Sequence, residues 1–287
     1  MEWSVSDLSP VFGVIGKLDC VVIGGQAVNI WCEHYARGDY VPAAQWDELK
    51  PFTSLDLDVL GSSVEAEEAG AELHASRVEI ADPFGKSDSP ICGFVEAAVG
   101  GRELGIHFLH RIAGVGRDEV ERTAVSIEAG GTNVRVMHPL LCLEGRVEML
   151  LRRIGEAGHQ DQLHLRRGIL VVRALLAEQL AREGAKRFLS GVERVFRLAR
   201  SYDGLLLAQK CGVKLEEAIP IEVARAHSDE GLARFCDKRW PQMLDILESK
   251  RARLAAVVER TIDRAGRIPP PGGAPKRGSR QRPGPGR

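Results

Sequence analysis

Two acidic side chains lie close together in an otherwise apolar stretch of the sequence. Asp56 and Asp58 alternate with Leu55, Leu57 and Val59. Because residues i and i+2 of a β-strand share a face and lie about 6.5–7 Å apart, this alternation predicts both acids on one face and the three apolar side chains in the core. Neighbouring carboxylates repel each other unless a cation lies between them, and their oxygen atoms suit Mg²⁺. Asp56 and Asp58 are therefore predicted metal ligands.

A pair of glycines ends the first apolar run of the chain. Gly24 and Gly25 follow the run 20–23, and a stretch with helical character begins at Gln26 and continues to about residue 35. Glycine allows an anion to approach the main chain, and the free N–H groups at the start of a helix attract it. The pair is therefore predicted to bind phosphate. Together with the two acids, it indicates chemistry on a nucleoside triphosphate.

The elements that must position these residues form an α+β pattern. Residues 1–138 are predicted to form a mixed sheet with flanking helices. The helices are expected at about 5–17, 26–35 and 64–74, the strands at 19–23, 55–60 and 134–137, and a hairpin at 91–98 and 103–110. Gly100 and Gly101 lie between the two strands of the hairpin, as is typical of a tight turn.

A second, all-helical domain is predicted over residues 139–264. Its helices are expected at about 139–153, 161–181, 185–200, 215–225 and 239–263, where apolar residues recur with helical spacing. Arg166 and Arg167 are expected on a solvated helix face. Residues 265–287 are rich in proline, glycine and arginine and contain no acidic residue, so they are predicted to form a disordered basic tail.

The composition of the 287-residue chain argues against several classes of protein. The 39 Lys and Arg residues nearly balance the 40 Asp and Glu residues, and aromatic residues make up 5%, so neither a global basic field nor a large base-stacking surface is expected. The six cysteines show no metal-ligand spacing. Because no signal peptide and no membrane span is predicted, we expect a cytoplasmic protein without a membrane partner.

The motifs resemble those of a known enzyme family. A glycine pair with a short helix, followed by Thr-Ser-x-Asp-x-Asp on the next strand, is similar to the nucleotidyltransferase fold of the polymerase-beta superfamily. Within it, the greatest likeness is to bacterial nucleotidyltransferases related to the abortive-infection E toxins. The similar segments are residues 22–29, 51–58, 108–110 and 136–143, so the resemblance covers about the first 150 residues.

The resemblance implies a metal-dependent enzyme that moves an NMP from an NTP to an acceptor hydroxyl of RNA, protein or a small molecule. It also implies a role as a toxin, as in toxin–antitoxin systems, or in phage defence. Asp56 and Asp58 would hold Mg²⁺, with Mn²⁺ as an alternative, and Gly24-Gly25 would contact the phosphates. Thr53-Ser54 either donates hydroxyl groups to the phosphates or only begins the strand.

The third strand departs from the family pattern at His107. The family carries an aspartate there, which completes a triad of carboxylates. Three interpretations remain open: a substitute general base, an altered metal ligand, or an ordinary strand residue in a protein that has lost its activity. Imidazole is a poor ligand for Mg²⁺ and a better one for Mn²⁺ or Zn²⁺, and it is a competent base near neutral pH. With two carboxylates we expect a slow enzyme, or one that favours Mn²⁺.

Other departures lie later in the chain. Glu144 occupies the place of a lysine suited to a triphosphate and would repel it, although Arg146 is close enough to compensate and is the predicted nucleotide-binding cation. Leu55 stands where a basic residue is common, and Asp161 is a candidate for a late acid near the nucleotide. His107 and Glu144 leave a second function open, namely a catalytically degenerate protein that binds a nucleotide or a partner without turnover.

Overall fold

The structure, a computed structural model, describes residues 2–82, 89–152 and 159–266, and its fold is α+β, as predicted. The strands are β1 (Trp3–Ser4), β2 (Val21–Ile23), β3 (Thr53–Ser54), β4 (Leu57–Leu60), β5 (Arg77–Ile80), β6 (Ile91–Val99), β7 (Arg102–Leu109), β8 (Val125–Ala129) and β9 (Thr132–Val136). The α-helices are α1 (Ser9–Ile15), α2 (Gly24–Ala36), α3 (Ala43–Asp47), α4 (Ser63–Glu72), α5 (Arg117–Thr123), α6 (Pro139–Arg152), α7 (His159–Glu183), α8 (Ala185–Ala199), α9 (Tyr202–Cys211), α10 (Ile221–Ala226), α11 (Glu230–Arg234) and α12 (Trp240–Gly266).

Within the described residues, seven strands form one mixed sheet in the order β5-β6-β7-β4-β2-β9-β8, and β1 and β3 form a separate two-stranded sheet. The central strand β4 pairs with β2 in antiparallel and with β7 in parallel orientation. Because β2 and β4 are antiparallel, Ile23 at the end of β2 lies opposite Asp58 near the beginning of β4. The fold therefore brings the glycine pair that follows β2 to the predicted metal ligands.

The predicted hairpin is confirmed. Val99 pairs with Arg102, so a two-residue loop joins β6 to β7. Gly100 and Gly101 in this loop have φ values of +56° and +77°, the left-handed conformation that a type I′ turn requires at both central positions. This turn sets the register that carries His107 to its place beside β4.

The predicted strand over residues 55–60 is shorter than expected. β4 begins at Leu57, and Leu55 and Asp56 lie in a bend between β3 and β4. Leu57 and Val59 are fully buried, as predicted, but Leu55 is 61% exposed. The prediction for Leu55 is wrong because β3 pairs with β1 in the other sheet, so the chain turns before it enters β4.

The helical region after residue 139 largely follows the prediction. α6, α7, α8 and α12 match the expected helices, whereas the helix predicted over 215–225 is broken. Leu215–Ala218 forms a 3₁₀ turn, and α10 begins after Pro220. Proline has no N–H group and forces the residue before it out of the helical conformation, so a continuous helix does not pass this point.

α2 connects the sheet to the helical region. It packs against β2 and β4 and also against α6 and α7, and a continuous hydrophobic core extends from Trp3 to Leu247 within the described chain. The division into two domains at residue 138 stays a prediction. All but the first two residues of the predicted tail, 265–287, lie outside the described residues. Among the described helices, none combines the length and the apolar character that a membrane crossing requires.

Arg167 on α7 is completely buried, which contradicts the solvated helix face predicted for it, whereas Arg166 is exposed. Its guanidinium group donates hydrogen bonds to backbone carbonyl oxygens of the segment 49–53 and to Asn29 Oδ1. These several acceptors around the planar guanidinium group compensate the free-energy cost of burying its charge. These bonds anchor the segment that leads directly to Asp56.

Candidate active site

Three side chains that can bind metals converge at the beginning of β4. Asp56, Asp58 and His107 each bring one ligand atom within 4.8 Å of the others. Asp58 and His107 are paired residues of the parallel strands β4 and β7, so their side chains leave the sheet on the same face. Asp56 precedes β4 by one residue and reaches the same point from the bend. The structure thus brings the two predicted metal ligands together, with His107 beside them.

The electrostatics of this cluster favour an additional positive charge. Burial and the nearby charge of Asp58 raise the pKa of Asp56. His107 Nδ1 lies 3.4 Å from Asp58 Oδ1 and 3.8 Å from Asp56 Oδ2, and the hydrogen bond with Asp58 is the main cause that raises the pKa of His107. Both shifts reflect two carboxylates in a confined space, which a proton on the imidazole or a metal ion stabilises.

The glycine pair stands directly against these acids. Gly24 has a φ of +65°, and a Cβ atom on it would overlap with Asp58 Oδ2, so both the backbone and the space require glycine. A Cβ atom on Gly25 would lie 2.6 Å from Ser54 Oγ. α2 begins at Gly24, and no described side chain caps its first turn, which leaves N–H groups available to an anion.

A cleft of about 800 Å³ opens beside these residues. Gly24, Asp58 and Arg146 form part of its wall, and apolar side chains such as Leu109 and Met137 form other parts. Its volume lies in the range typical of sites for small molecules and cofactors. The cleft is therefore large enough for a small molecule of nucleotide size beside Gly24 and Asp58.

Arg146, the predicted nucleotide-binding cation, belongs to this wall. Its Nη1 atom lies 3.9 Å from Oδ1 of Asp161, the candidate late acid, which α7 brings to the site. Burial lowers the pKa of Arg146, while the charges of Asp161, Asp58 and Asp56 act in the opposite direction. Because a guanidinium group keeps its proton in proteins, the cleft holds a permanent cation as well as acids.

Glu144 points away from the cleft and pairs with Arg194. Its carboxylate accepts hydrogen bonds from Arg194 Nε and Nη2 at 2.6 and 2.7 Å, and Glu144 is not among the described residues that line the cleft. Positions two apart on an α-helix point about 200° away from each other, so Glu144 and Arg146 lie on different faces of α6. The expected repulsion between Glu144 and a triphosphate is thus offset by Arg194.

The two predicted hydroxyl ligands have different surroundings. Ser54 is buried beside Gly25 at the start of α2. The Thr53 hydroxyl donates a hydrogen bond to the carboxylate of Glu2, next to the strand pair β1–β3. The structure thus brings Ser54 to the glycine pair and directs Thr53 elsewhere. A phosphate contact of either residue stays a prediction.

Sequence reasoning missed His164, which α7 places behind the glycine pair. It is 5% exposed, and its Cε1 atom lies 3.3 Å from where a Cβ atom on Gly25 would be. Burial, with Arg146 and Arg167 nearby, lowers its pKa to about 3, and its Nδ1 atom has no hydrogen-bond partner among the described residues. Asp161, His164 and Arg167 follow one another at a spacing of three residues, so His164 neighbours each of the other two on the surface of α7. That spacing is the signal that could have identified it.

Comparison with known proteins does not assign the chain to a family. No protein-family model matches the sequence, and no curated protein matches it.

Proposed function

We propose that this protein is a metal-dependent nucleotidyltransferase of the polymerase-beta type, which moves an NMP from an NTP to an acceptor hydroxyl group. One observation carries the proposal: Gly24, at the uncapped start of α2, lies against Asp58, and both line a cleft that also holds Arg146. A nucleoside triphosphate needs this combination, because its phosphates require N–H donors and a cation while its metal ion requires carboxylates.

The chain itself supplies two kinds of phosphate contact in this proposal. The N–H groups of Gly24 and Gly25 bind phosphate oxygens at the helix start, where the partial positive charge of the helix adds to the attraction. Arg146 neutralises the remaining charge from the other part of the wall. Ser54, whose hydroxyl lies beside Gly25, could add a further donor to a phosphate bound there.

The residues present also fit a divalent ion, because Asp56 and Asp58 lie side by side with His107. Bound there, the ion would neutralise charge on the phosphates and on the leaving pyrophosphate. In the transfer, the acceptor oxygen forms a bond to the α-phosphorus, the bond from the α-phosphorus to the oxygen bridging to the β-phosphate breaks, and the hydroxyl proton passes to a carboxylate or to water. Asp56 and Asp58 would hold the divalent ion that orients the phosphates for this reaction.

The direct test is transfer of label from each of the four NTPs, labelled at the α-phosphate, to bacterial RNA or protein in Mg²⁺ or Mn²⁺. We expect labelled product with the native chain and a loss of at least about a hundredfold in Asp58→Ala. Asp245→Ala is the matched control, because Asp245 is exposed on α12 and is not among the described cleft residues. Equal transfer by native protein and Asp58→Ala would refute the proposal.

A second function is favoured by the position of His107. Its imidazole lies close enough to both acids to compensate their charge without a metal ion, as expected of a degenerate transferase that only binds a nucleotide or a partner. Nucleotide binding with no transfer in either ion would support this function. His107→Asp separates the two cases further, since a large rise in transfer would reveal a catalytic site that the histidine impairs.

The resemblance extends the proposal to a toxin-like role, which expression in a bacterial host tests. We expect the native chain to arrest growth and the double variant Asp56→Ala/Asp58→Ala, which lacks both carboxylates of the site, to be harmless at the same expression level. Arrest by the double variant would argue against transfer as the cause of toxicity.

A further inference from the structure

His107 is held in a narrow range of orientations beside the acids. Its neighbours along β7, Ile106 and Phe108, are fully buried. Its ring packs against Phe94 on β6 with a centroid distance of 5.3 Å, while Asp58 is its paired residue on β4. The imidazole is therefore flanked by a strand on each side, and the same strands fix the direction in which it faces.

The nitrogen atom that faces the acids has the separation that a shared ion requires. Two atoms bound to one ion at about 2.1 Å lie about 3.0 Å apart in octahedral coordination and about 3.4 Å apart in tetrahedral coordination. His107 Nδ1 lies 3.4 Å from Asp58 Oδ1 and 3.8 Å from Asp56 Oδ2. Both nitrogen–oxygen separations are therefore within a few tenths of an ångström of the tetrahedral value, and the ligand atoms of all three residues lie within 4.8 Å of one another.

A set of one nitrogen and two carboxylates differs chemically from a set of three carboxylates. Mg²⁺ is a hard ion that binds oxygen and keeps much of its water, whereas first-row transition ions accept imidazole nitrogen. Replacement of a third carboxylate by a neutral imidazole also removes one negative charge. The lost charge weakens the binding of Mg²⁺, which is held mainly by charge. It weakens the binding of a transition ion less, because that ion also bonds to the nitrogen.

We infer that Asp56, Asp58 and His107 form a site for a first-row transition ion, with His107 Nδ1 as a direct ligand, and that the site prefers such an ion to Mg²⁺. The inference deepens the proposed function and rests on it for the use of the ion. Of the three interpretations that the sequence leaves open for His107, it selects the altered metal ligand.

The test uses the full-length chain, freed of metal by chelation, with Mn²⁺ as the probe and without nucleotide. Binding is measured by the loss of the electron paramagnetic resonance signal of free Mn²⁺, and ligation by nitrogen hyperfine coupling in a pulsed experiment. We expect bound Mn²⁺ with nitrogen coupling, and Mg²⁺ should displace it only at concentrations at least about tenfold higher. Bound Mn²⁺ without nitrogen coupling would overturn the inference.

Two variants sharpen the result. His107→Asp should abolish the nitrogen coupling and bring the affinities for Mg²⁺ and Mn²⁺ to within about threefold of each other, because all ligands are then oxygen atoms. His110→Ala, which changes an exposed histidine just beyond β7, should alter neither property. Nitrogen coupling that persists in His107→Asp would also overturn the inference. Since the native spectrum is decisive by itself, a variant that does not fold leaves the test intact.

The inference and the proposed function fail in different ways. Nitrogen-ligated Mn²⁺ in a protein that transfers no NMP in any ion refutes the function and supports the metal site. NMP transfer that depends on Asp58 and runs equally well in Mg²⁺, without nitrogen coupling in the Mn²⁺ form, supports the function and refutes the metal site.

Discussion

Gly24 meets two requirements that experiment can separate. Its φ of +65° disfavours any L side chain, and a Cβ atom on it would overlap with the carboxylate of Asp58. Gly212, at the end of α9, has the same φ of +65°, but a Cβ atom on it would have no described atom within 4 Å. The two glycines share a backbone conformation and differ in what lies next to it.

We expect Gly212→Ala to lower the free energy of unfolding by about 1 kcal/mol, which is the cost of the left-handed backbone for a residue with a side chain. Gly24→Ala should lower it by about 3 kcal/mol and should also weaken Mn²⁺ binding, because Asp58 has to move. Urea denaturation and metal titration measure the two effects. Equal losses of stability in both variants would show that Gly24 does not constrain Asp58.

Buried His164 makes the stability depend on pH. Its pKa is lowered to about 3 in the folded chain, whereas a histidine in an unfolded chain has a pKa of about 6.5. Between these values the unfolded state binds more protons, so the free energy of unfolding falls as the pH decreases below about 6.5. His138, whose pKa burial lowers to about 4, acts in the same direction.

From His164 alone we expect a loss of about 2 kcal/mol between pH 6.5 and pH 5. Urea denaturation at a series of pH values measures it, and His164→Gln should remove this part of the dependence. The exposed His110→Gln is the control that keeps the native profile. If His164→Gln kept the native dependence of stability on pH, His164 would not be its cause.

At the scale of elements, α6 carries two charges with separate tasks. Arg146 faces the cleft, and Glu144 on another face pairs with Arg194, which also lies 3.0 Å from Glu119. The helical spacing separates a cleft-lining residue from a residue that ties α6 to α8. Substitutions at the two positions should therefore change different properties of the protein.

We expect Arg146→Met to weaken the binding of a non-hydrolysable NTP analogue by at least about tenfold, because a charge-assisted phosphate contact is lost. Glu144→Gln should lower the free energy of unfolding by about 1 kcal/mol through the weaker contact with Arg194, with little change in nucleotide affinity. Calorimetric titration and urea denaturation compare the two. If Glu144→Gln weakened the binding of the NTP analogue more than Arg146→Met does, Arg146 would not be the nucleotide-binding cation.

The elements predicted from the sequence are those whose signals are local. The turn at Gly100-Gly101, the glycine pair after β2 and the helical spacing of α6 to α8 can be read from neighbouring residues. The same holds for Asp56 and Asp58, which alternate with apolar residues. The exposure of Leu55 depends on the pairing of β3 with β1. The burial of Arg167 depends on carbonyl groups more than a hundred positions away. Partners this distant in sequence cannot be inferred from the pattern of neighbouring residues.

At the scale of the whole molecule, the continuous core argues for one cooperative unit. α2 packs against the sheet and against α6 and α7, so a fragment that ends at residue 138 would expose an apolar face of α2. We expect this fragment to remain unfolded by circular dichroism, and the full chain to unfold in one transition with coincident fluorescence and circular dichroism curves. A folded fragment, or two separate transitions, would show that the predicted domains are independent.

Arg167 has a consequence that reaches beyond its role as an anchor. The oxygen atoms that accept its hydrogen bonds are neutral amide and carbonyl groups, and the side chain is sealed from solvent. Mobile salt ions therefore screen this charge poorly, and no accessible pH discharges it. Arg167 therefore keeps its positive charge beside Asn29 and the segment 49–53 wherever the protein is folded. In the proposed function, this fixed charge near Ser54 would attract the phosphates of an incoming nucleotide before any metal ion binds.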